Sequence, residues 1–172
     1  MYSQAMTTSA NSATPDDLFA YLETLGIAVT THHHPPAFTV EEGNRVWGAI
    51  PGIHCKNLFL KDAKARLWLV VAPAERPVDL KTLPARIGSA RLSFGSATLL
   101  QEVLGVSPGS VTPFALLNDT AHRVTPVLDA ALMAAELVNF HPLRNDMTTT
   151  IAAADFRRFL DATGHRPEVV GL

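Results

Sequence analysis

The chain has 172 residues, of which 47% are hydrophobic and 17% are charged, a length and balance typical of one folded domain and not of a disordered polypeptide. A single cysteine, Cys55, excludes an internal disulfide and a zinc site made of several cysteines. The first cation is Arg45 and the longest apolar run is far shorter than a bilayer span, so the sequence contains neither a basic targeting signal nor a membrane helix. We therefore expect a cytoplasmic protein without a membrane partner, with a disordered leader over residues 1–14 and one domain over residues 15–172.

The first predicted elements surround a histidine-rich segment. A helix is predicted over residues 15–25, because its apolar side chains have helical spacing and acidic residues occupy its first turn. Residues 27–31 are predicted to form a strand, and the His-His-His-Pro-Pro run at residues 32–36 is expected to leave regular structure. Thr39 and Glu42 have the spacing of a capping box, which predicts another helix from residue 40.

The clearest strand pair covers residues 56–61 and 66–71, whose four-residue connection has hairpin length. The later predicted elements are helices over residues 80–87 and 97–104, a second hairpin from 114–117 and 123–128, strands over 137–141 and 147–151, and an amphipathic helix over 152–163. Short strands and helices without regular βαβ spacing favour an α+β fold with a mixed sheet.

The net charge of −2 hides an uneven distribution of charge along the chain. Residues 1–44 contain five acidic residues and no lysine or arginine, whereas residues 45–91 contain nine cations and three acidic residues, a local charge of +6. Residues 92–172 return to −3, from five cations and eight acidic residues. The basic stretch either neutralises acidic neighbours in the fold or forms a cationic face for a phosphate-bearing ligand.

Lys56 is the first candidate for chemistry. Side chains alternate along a strand, so Lys56, Leu58 and Leu60 share one face. A lysine in line with two leucines is either a strand-end residue whose ammonium reaches water or a half-buried cation at the mouth of a cavity.

The histidines do not have the spacing of a metal site. Consecutive residues in an extended segment point in opposite directions, so His32, His33 and His34 cannot easily close on one ion. The other histidines are scattered. We therefore predict no metal and no other cofactor.

Two loops offer further candidates. The segment Gly109, Ser110, Val111, Thr112 and Pro113 is either a simple turn or a loop whose backbone N–H groups hold a carbonyl or an anion, and we expect it to enter a strand.

Residues 141–146 form a polar loop between two apolar runs. A triad of Ser110, His141 and Asp146 is conceivable from these residue types, although the sequence lacks the nucleophile elbow that often accompanies one.

Five segments of the chain, in order, resemble the bacterial prolyl-tRNA editing family of the YbaK and ProX type. The segments read HPPAFTVEE, CKNLFLK, RLSFG, GSVTPF and NFHPLRND, and the resemblance covers roughly residues 15–165. RLSFG and NFHPLRND are more similar to the ProX branch, which removes alanine from tRNA for proline, whereas the broader YbaK branch favours cysteine.

This resemblance implies a mixed, barrel-like β-sheet flanked by helices, and catalysis without a metal. By this resemblance, Lys56 corresponds to the family's essential lysine, Gly109–Pro113 to its aminoacyl-binding loop and His141 to a pocket histidine. Asn57 corresponds to a further substrate contact. One departure is that Ala115 stands where the family more often has glycine after the phenylalanine.

The implied activity is hydrolysis of mischarged tRNA(Pro), most simply Ala-tRNA(Pro), by attack of water on the aminoacyl ester. Loss of an apolar contact lets a synthetase discriminate against the smaller alanine by only about 1–3 kcal/mol, so a second, smaller pocket supplies the missing selectivity. The alternatives are a Cys-tRNA(Pro) or broad-specificity deacylase and a non-catalytic module that binds the acceptor stem. The expected partner is the acceptor end of tRNA(Pro), with prolyl-tRNA synthetase or an elongation factor as further candidates, and no DNA.

Overall fold

The computed structural model describes residues 12–36, 48 and 50–172. Its strands are β1 (Thr30–His33), β2 (Ile53–Asp62), β3 (Leu67–Pro73), β4 (Leu92–Phe94), β5 (Val124–Asp129), β6 (Leu137–Phe140), β7 (Met147–Ala152) and β8 (Glu168–Val170). Its α-helices are α1 (Pro15–Thr24), α2 (Leu83–Ile87), α3 (Ala97–Leu104), α4 (Ala130–Ala134) and α5 (Ala153–Ala162), and 3₁₀ helices cover Pro108–Ser110 and Pro113–Asn118.

The strands form one mixed sheet in the order β1-β7-β6-β2-β3-β5-β8, with β4 paired to β2 outside this path. β2 pairs antiparallel with β3 and β4 and parallel with β6, while β3 pairs parallel with β5 and β5 with β8. The predicted α+β class with a mixed sheet is confirmed. β1 and β8 lie at opposite ends of the strand order, and no pairing joins them within the described residues, so the barrel-like closure is not confirmed.

Two apolar clusters show to which side of the sheet each residue of β2 points. The larger core contains Phe59, and the smaller core contains Leu60 with Leu58 packed against it. Because neighbouring residues of a strand point to opposite faces, Lys56 belongs to the face of the smaller core and Asn57 to that of the larger core. The predicted alignment of Lys56 with two leucines is therefore present.

The first helix begins at a complete capping box. The Thr14 side chain accepts a hydrogen bond from the Asp17 N–H, and the Asp17 carboxylate accepts one from the Thr14 N–H. Gly26, just past the end of α1, has a φ of +69°. Of the predicted leader, residues 1–11 lie outside the described part of the chain, as does the helix predicted from residue 40.

Two predictions around the histidines are wrong. The strand predicted over 27–31 begins three residues later, and β1 includes His32 and His33 instead of ending before them. The cause is the partner strand: residues 30–33 pair in antiparallel register with residues 147–150 of β7, a contact that a local pattern does not contain. The β-branched threonines of both strands suit this pairing.

The second predicted hairpin is also wrong. Residues 114–117 lie in a 3₁₀ helix, and β5 pairs in parallel with β3 instead of folding back on its predecessor. Pro113 starts this helix with its preset φ, and the Thr112 hydroxyl accepts a hydrogen bond from the Phe114 N–H. The proline and the capping hydrogen bond favour a 3₁₀ helix here, although the apolar run predicted a strand.

Gly95 packs directly on the ring of Phe59. A Cβ atom at residue 95 would overlap that ring, which is 4% exposed and cannot move without disturbing the larger core. We expect Gly95→Ala to lower the free energy of unfolding by about 1–3 kcal/mol, the usual cost of overpacking. Urea denaturation measures this, with Gly171→Ala as the control because no atom lies within 4 Å of a Cβ there. Equal stabilities of the two variants would contradict the prediction.

Within residues 12–36, 48 and 50–172, no helix is long and apolar enough to cross a bilayer.

Candidate active site

A small polar cavity opens where β2 and β6 part. It is lined by His54, Cys55, Asn57, Asn139, Phe140, His141 and Thr148. The space open to the centre of a water molecule is about 10 Å³, enough for one water. Two of the predicted site residues, Asn57 and His141, therefore meet in one cavity although 84 positions separate them in the chain.

His141 lines this cavity, and its Nε2 has no hydrogen-bond partner among the described residues. Its Nδ1 lies 2.8 Å from the carbonyl oxygen of Met147, and a carbonyl can only accept, so Nδ1 carries the proton. Burial lowers the pKa of His141 below its ordinary value, the Met147 hydrogen bond opposes that shift, and nearby His34 adds to it. The neutral imidazole therefore offers the Nε2 lone pair as an acceptor or a base.

Asn57 presents an unused acceptor. Its Oδ1 is buried and has no hydrogen-bond partner in the part of the chain that the structure describes. A buried carbonyl oxygen without a donor costs about 1–3 kcal/mol, so such an atom in a polar cavity indicates a place for a ligand or a water.

Asn139 fixes the wall of the cavity, a role that the sequence interpretation missed. Its Nδ2 donates to the Pro51 carbonyl at 2.9 Å, and its Oδ1 accepts from the Thr150 hydroxyl. Its side chain is 2% exposed, and its register partner across the sheet is His54. The sequence did contain a signal for this role, because Asn139 directly precedes the lining residues Phe140 and His141 in the NFHPLRND segment.

Cys55 lines the cavity as an inert thiol. Burial raises the pKa of Cys55 to about 12, a hydrogen bond from the Asn139 backbone opposes the shift, and the Asp129 charge adds to it. The thiolate is the nucleophilic form of cysteine, so this side chain does not act as a nucleophile.

Lys56 does not line this cavity. It is half-buried on the opposite face of β2 from Asn57, and desolvation by burial lowers the pKa of its ammonium. Its register partner on β3 is Ala72, and the neighbouring Val71 pairs with Leu128, the residue before Asp129 on β5.

An ion pair that the sequence did not indicate lies on this face. Arg76 donates to the buried carboxylate of Asp129 at 2.6 Å. Asp129 also caps α4 by accepting from the Ala131 N–H.

The glycine-to-proline loop runs through two 3₁₀ helices instead of entering a strand, which corrects the prediction. Its Ser110 and Thr112 side chains are buried, at 6% and 0% exposure. None of Gly109, Ser110, Val111, Thr112 or Pro113 lines the cavity. The loop is connected to it through Phe114, whose ring meets the Phe140 ring edge-on at 5.6 Å between centroids.

The Ser110, His141 and Asp146 triad is not assembled. His141 Nδ1, the atom that a triad carboxylate would hold, bonds the Met147 carbonyl, and Asp146 pairs with Arg144 at 2.6 Å. In the histidine run, His34 makes ordinary contacts: its Nε2 lies 2.7 Å from the Thr148 hydroxyl and its Nδ1 bonds the Pro35 carbonyl.

No group of three or more His, Cys, Asp or Glu side chains in the described ranges could hold a metal ion. That the reaction needs no metal stays a prediction.

The fold and the cavity belong to a known class of protein. Residues 34–159 match the aminoacyl-tRNA editing domain family, and the chain belongs to that family. It is therefore a deacylase, a hydrolase of aminoacyl esters, and the resemblance inferred from the five segments is confirmed.

Several proteins similar to this chain have names that refer to prolyl-tRNA or its synthetase. It is 37% identical over 156 residues to the prolyl-tRNA editing protein ProX of Acetoanaerobium sticklandii, covering 90% of this chain and 95% of the relative. It is 40% identical to the prolyl-tRNA synthetase associated domain-containing protein 1 of Danio rerio over 158 residues, 91% of this chain and 86% of the relative. A solved structure provisionally described as a trans-editing enzyme for prolyl tRNA synthetase shares the fold, with a TM-score of 0.62, 17% identity and coverage of 84% and 87%.

Proposed function

We propose that this chain is a free-standing hydrolase that removes alanine from mischarged tRNA(Pro), with residues 15–172 as its editing domain. The observation that carries the proposal is that Asn57 and His141 line one cavity large enough for one water, and that Asn57 Oδ1 and His141 Nε2 have no hydrogen-bond partner among the described residues. Two acceptors facing one space call for a molecule with two donor hydrogens, and water is the nucleophile of a hydrolase.

An ammonium group would also satisfy two acceptors, but the lining disfavours it. No carboxylate is among the seven lining residues. Burying a cation without a counter-charge costs far more than burying a neutral water. We therefore assign the space between Asn57 and His141 to the attacking water.

The reaction then needs a base, an oxyanion site and a hold on the RNA. The water oxygen bonds to the ester carbonyl carbon as His141 Nε2 takes one of its protons. Collapse of the tetrahedral intermediate breaks the bond to the ribose oxygen, which receives that proton, and alanine and free tRNA leave. Backbone N–H groups near Gly109 are assigned to the developing oxyanion, and Lys56 to the terminal phosphate or sugar.

Substrate selection follows from size. A synthetase pocket built for proline cannot exclude the smaller alanine by steric clash. A second pocket that admits alanine and excludes proline corrects the resulting mischarging. The tRNA(Pro) acceptor end, recruitment by prolyl-tRNA synthetase or an elongation factor, and a cytoplasmic location belong to this proposal.

Replacing Lys56 by alanine tests the assignment to the RNA. A lost charge-assisted hydrogen bond is worth about 1.5–3 kcal/mol, so we expect kcat/KM for Ala-tRNA(Pro) to fall by about 10- to 150-fold. Lys81→Ala is the matched control, because Lys81 is an exposed lysine of the same basic stretch that contacts neither the cavity nor β2. Equal activity of the two variants would exclude the role of Lys56.

The same assay across three substrates tests the specificity. We expect Ala-tRNA(Pro) to be hydrolysed faster than Cys-tRNA(Pro), and Pro-tRNA(Pro) to be spared. Faster hydrolysis of the cysteinyl ester would assign the chain to the cysteine-directed branch. Binding of tRNA(Pro) without turnover of any ester would instead indicate a non-catalytic acceptor-stem module.

A further inference from the structure

Phe94 stands out of the surface at the end of β4. Its side chain is 65% exposed, and among the described residues the only other large hydrophobic side chain with high exposure is Val169, at 40%. Phe94 pairs with Leu60 of β2, so the two side chains lie on the same face of the sheet. Leu60 is fully buried in the smaller core, whereas Phe94 lies outside that core.

The surrounding backbone holds Phe94 in this position. Leu92, two residues earlier on the same face, is 8% exposed and fills the smaller core. Gly95 is hydrogen-bonded to the Phe59 carbonyl at 3.0 Å and lies against the Phe59 ring. The chain is therefore fixed on both sides of Phe94, and its exposed ring does not result from a loose loop.

Four cations lie in the chain segments next to β4 at the same end of the sheet. They are exposed, and none of them makes an ion pair within the described ranges: Lys61, Lys64, Arg66 and Arg91. Lys61 pairs with Ser93 beside Phe94, and the Arg91 carbonyl accepts from the Ala63 N–H in the β2–β3 turn. An exposed aromatic ring among unpaired cations is the arrangement with which proteins bind single-stranded nucleic acid.

Asp62, the acidic side chain of the turn, does not compensate the positive charge of these exposed cations, because its carboxylate is buried. It is 2% exposed and points inward. Burial would raise the pKa of Asp62, but hydrogen bonds lower it, and their donors are the N–H groups of Arg66, Trp68, Ala90 and Lys64. All four donors are backbone or indole groups, so Asp62 does not engage the charged ends of Lys64 and Arg66, and the Arg66 guanidinium lies over the Trp68 ring at 5.1 Å.

β2 connects this surface to the active site. Its outer edge pairs with β6 at residues 53–54 and with β4 at residues 60–62, and no other strand of the described chain occupies the edge between them. Lys56 and Leu60, the partner of Phe94, are four residues apart on one face, which is about 13 Å at the usual rise of a strand. A few stacked nucleotides, at about 3.4 Å each, cover that length.

We infer that Phe94 is a stacking platform for an unpaired base of the tRNA 3′ end, a few nucleotides before the one that carries the amino acid. Lys61 and Arg91 hold the adjoining phosphates, and the strand of RNA follows the outer edge of β2 toward Lys56 and the cavity. This inference rests on the proposed function and names the path by which that substrate reaches the site.

The test compares two substrates that differ only beyond the terminal nucleoside. Alanyl-adenosine reaches the cavity but has no neighbouring base, whereas Ala-tRNA(Pro) has one. We expect Phe94→Ala to lower kcat/KM for Ala-tRNA(Pro) by about 5- to 150-fold, the effect of one lost base–aromatic stack, and to leave alanyl-adenosine hydrolysis unchanged. Phe94→Trp should restore the tRNA activity, and Val169→Ala, the control at the other exposed apolar side chain, should match the wild type.

Each outcome decides the inference. Wild-type activity of Phe94→Ala on Ala-tRNA(Pro), or an equal loss on both substrates, would overturn the stacking platform while leaving the deacylase proposal intact. If the wild type hydrolyses neither substrate, the proposed function fails. In that case the binding of uncharged tRNA(Pro), measured by fluorescence anisotropy, still tests the platform. We expect Phe94→Ala to bind at least fivefold more weakly than the wild type, and equal binding would refute the platform.

Discussion

Replacing His141 by asparagine is expected to lower kcat for deacylation of Ala-tRNA(Pro) by about 100- to 10,000-fold, the usual contribution of a general base. The asparagine amide can still donate to the Met147 carbonyl, as Nδ1 of the histidine does at 2.8 Å. The substitution therefore removes the Nε2 base and keeps the hydrogen bond that orders the loop. Single-turnover measurements separate this effect from product release.

His141→Gln is the matched control for the proton transfer. Its side-chain oxygen can replace Nε2 as an acceptor for water but cannot take a proton at neutral pH. We expect KM near the wild-type value and a kcat as low as that of His141→Asn. A His141→Gln enzyme with wild-type kcat would show that the residue only positions the water.

The pH profile of the wild type follows from the same imidazole. The base must be neutral, and burial lowers the pKa of His141 below its ordinary value. Activity should therefore be constant around neutrality and fall only as the pH drops below the range near 6.5 in which an unperturbed histidine titrates. This acidic limb should be absent from the residual activity of both variants.

The second large effect concerns stability. Asp119→Ala is expected to lower the free energy of unfolding by about 3–5 kcal/mol, because it leaves a buried partner without its counterpart. The Asp119 carboxylate accepts from His165 at 2.9 Å and from the N–H groups of Arg123 and Val124. Both side chains of the Asp119–His165 pair are almost fully buried, at 2% and 1% exposure.

Chemical denaturation at neutral pH measures this loss, and Glu102→Ala is its control. Glu102 pairs with Arg123 at 2.9 Å on the surface, where both side chains are about half exposed or more, so we expect a change below about 1 kcal/mol. Similar losses in the two variants would contradict the assigned role of the buried pair.

Acid should remove the same contribution from the wild type. Burial would raise the pKa of Asp119, but the hydrogen bonds from His165, Arg123 and Val124 hold it below its ordinary value. A depressed pKa in the folded state stabilises the protein above the unfolded pKa near 3.9 and loses that stabilisation as the pH falls through the folded pKa. The stability difference between wild type and Asp119→Ala should therefore shrink below about pH 4.

Elements with strong local signals were predictable from the sequence. The β2–β3 hairpin follows from two apolar-rich runs around a four-residue turn, and α3 ends at Gly105 as its left-handed conformation requires. α5 buries Phe156, Phe159 and Leu160 on one side, as its helical spacing indicated. In each case the information lies within about a dozen neighbouring residues.

Features that depend on distant partners were not predictable. The parallel pairing of β3 with β5 and the position of β1 against β7 join segments that share no local pattern. In the site, the sequence indicated Asn57 and His141 through family motifs, but only the cavity shows that they face a common space. The Arg76–Asp129 pair combines residues 53 positions apart and had no motif to indicate it.

The buried thiol of Cys55 has a consequence for the chemical safety of the site. An editing pocket receives activated acyl esters, and a thiolate beside them would capture the acyl group as a thioester. Because burial raises its pKa to about 12, the Cys55 thiol stays protonated at neutral pH. The cavity can therefore contain a sulfur atom next to its water without self-acylation, and the same protonated state makes the residue slow to react with oxidants and alkylating agents.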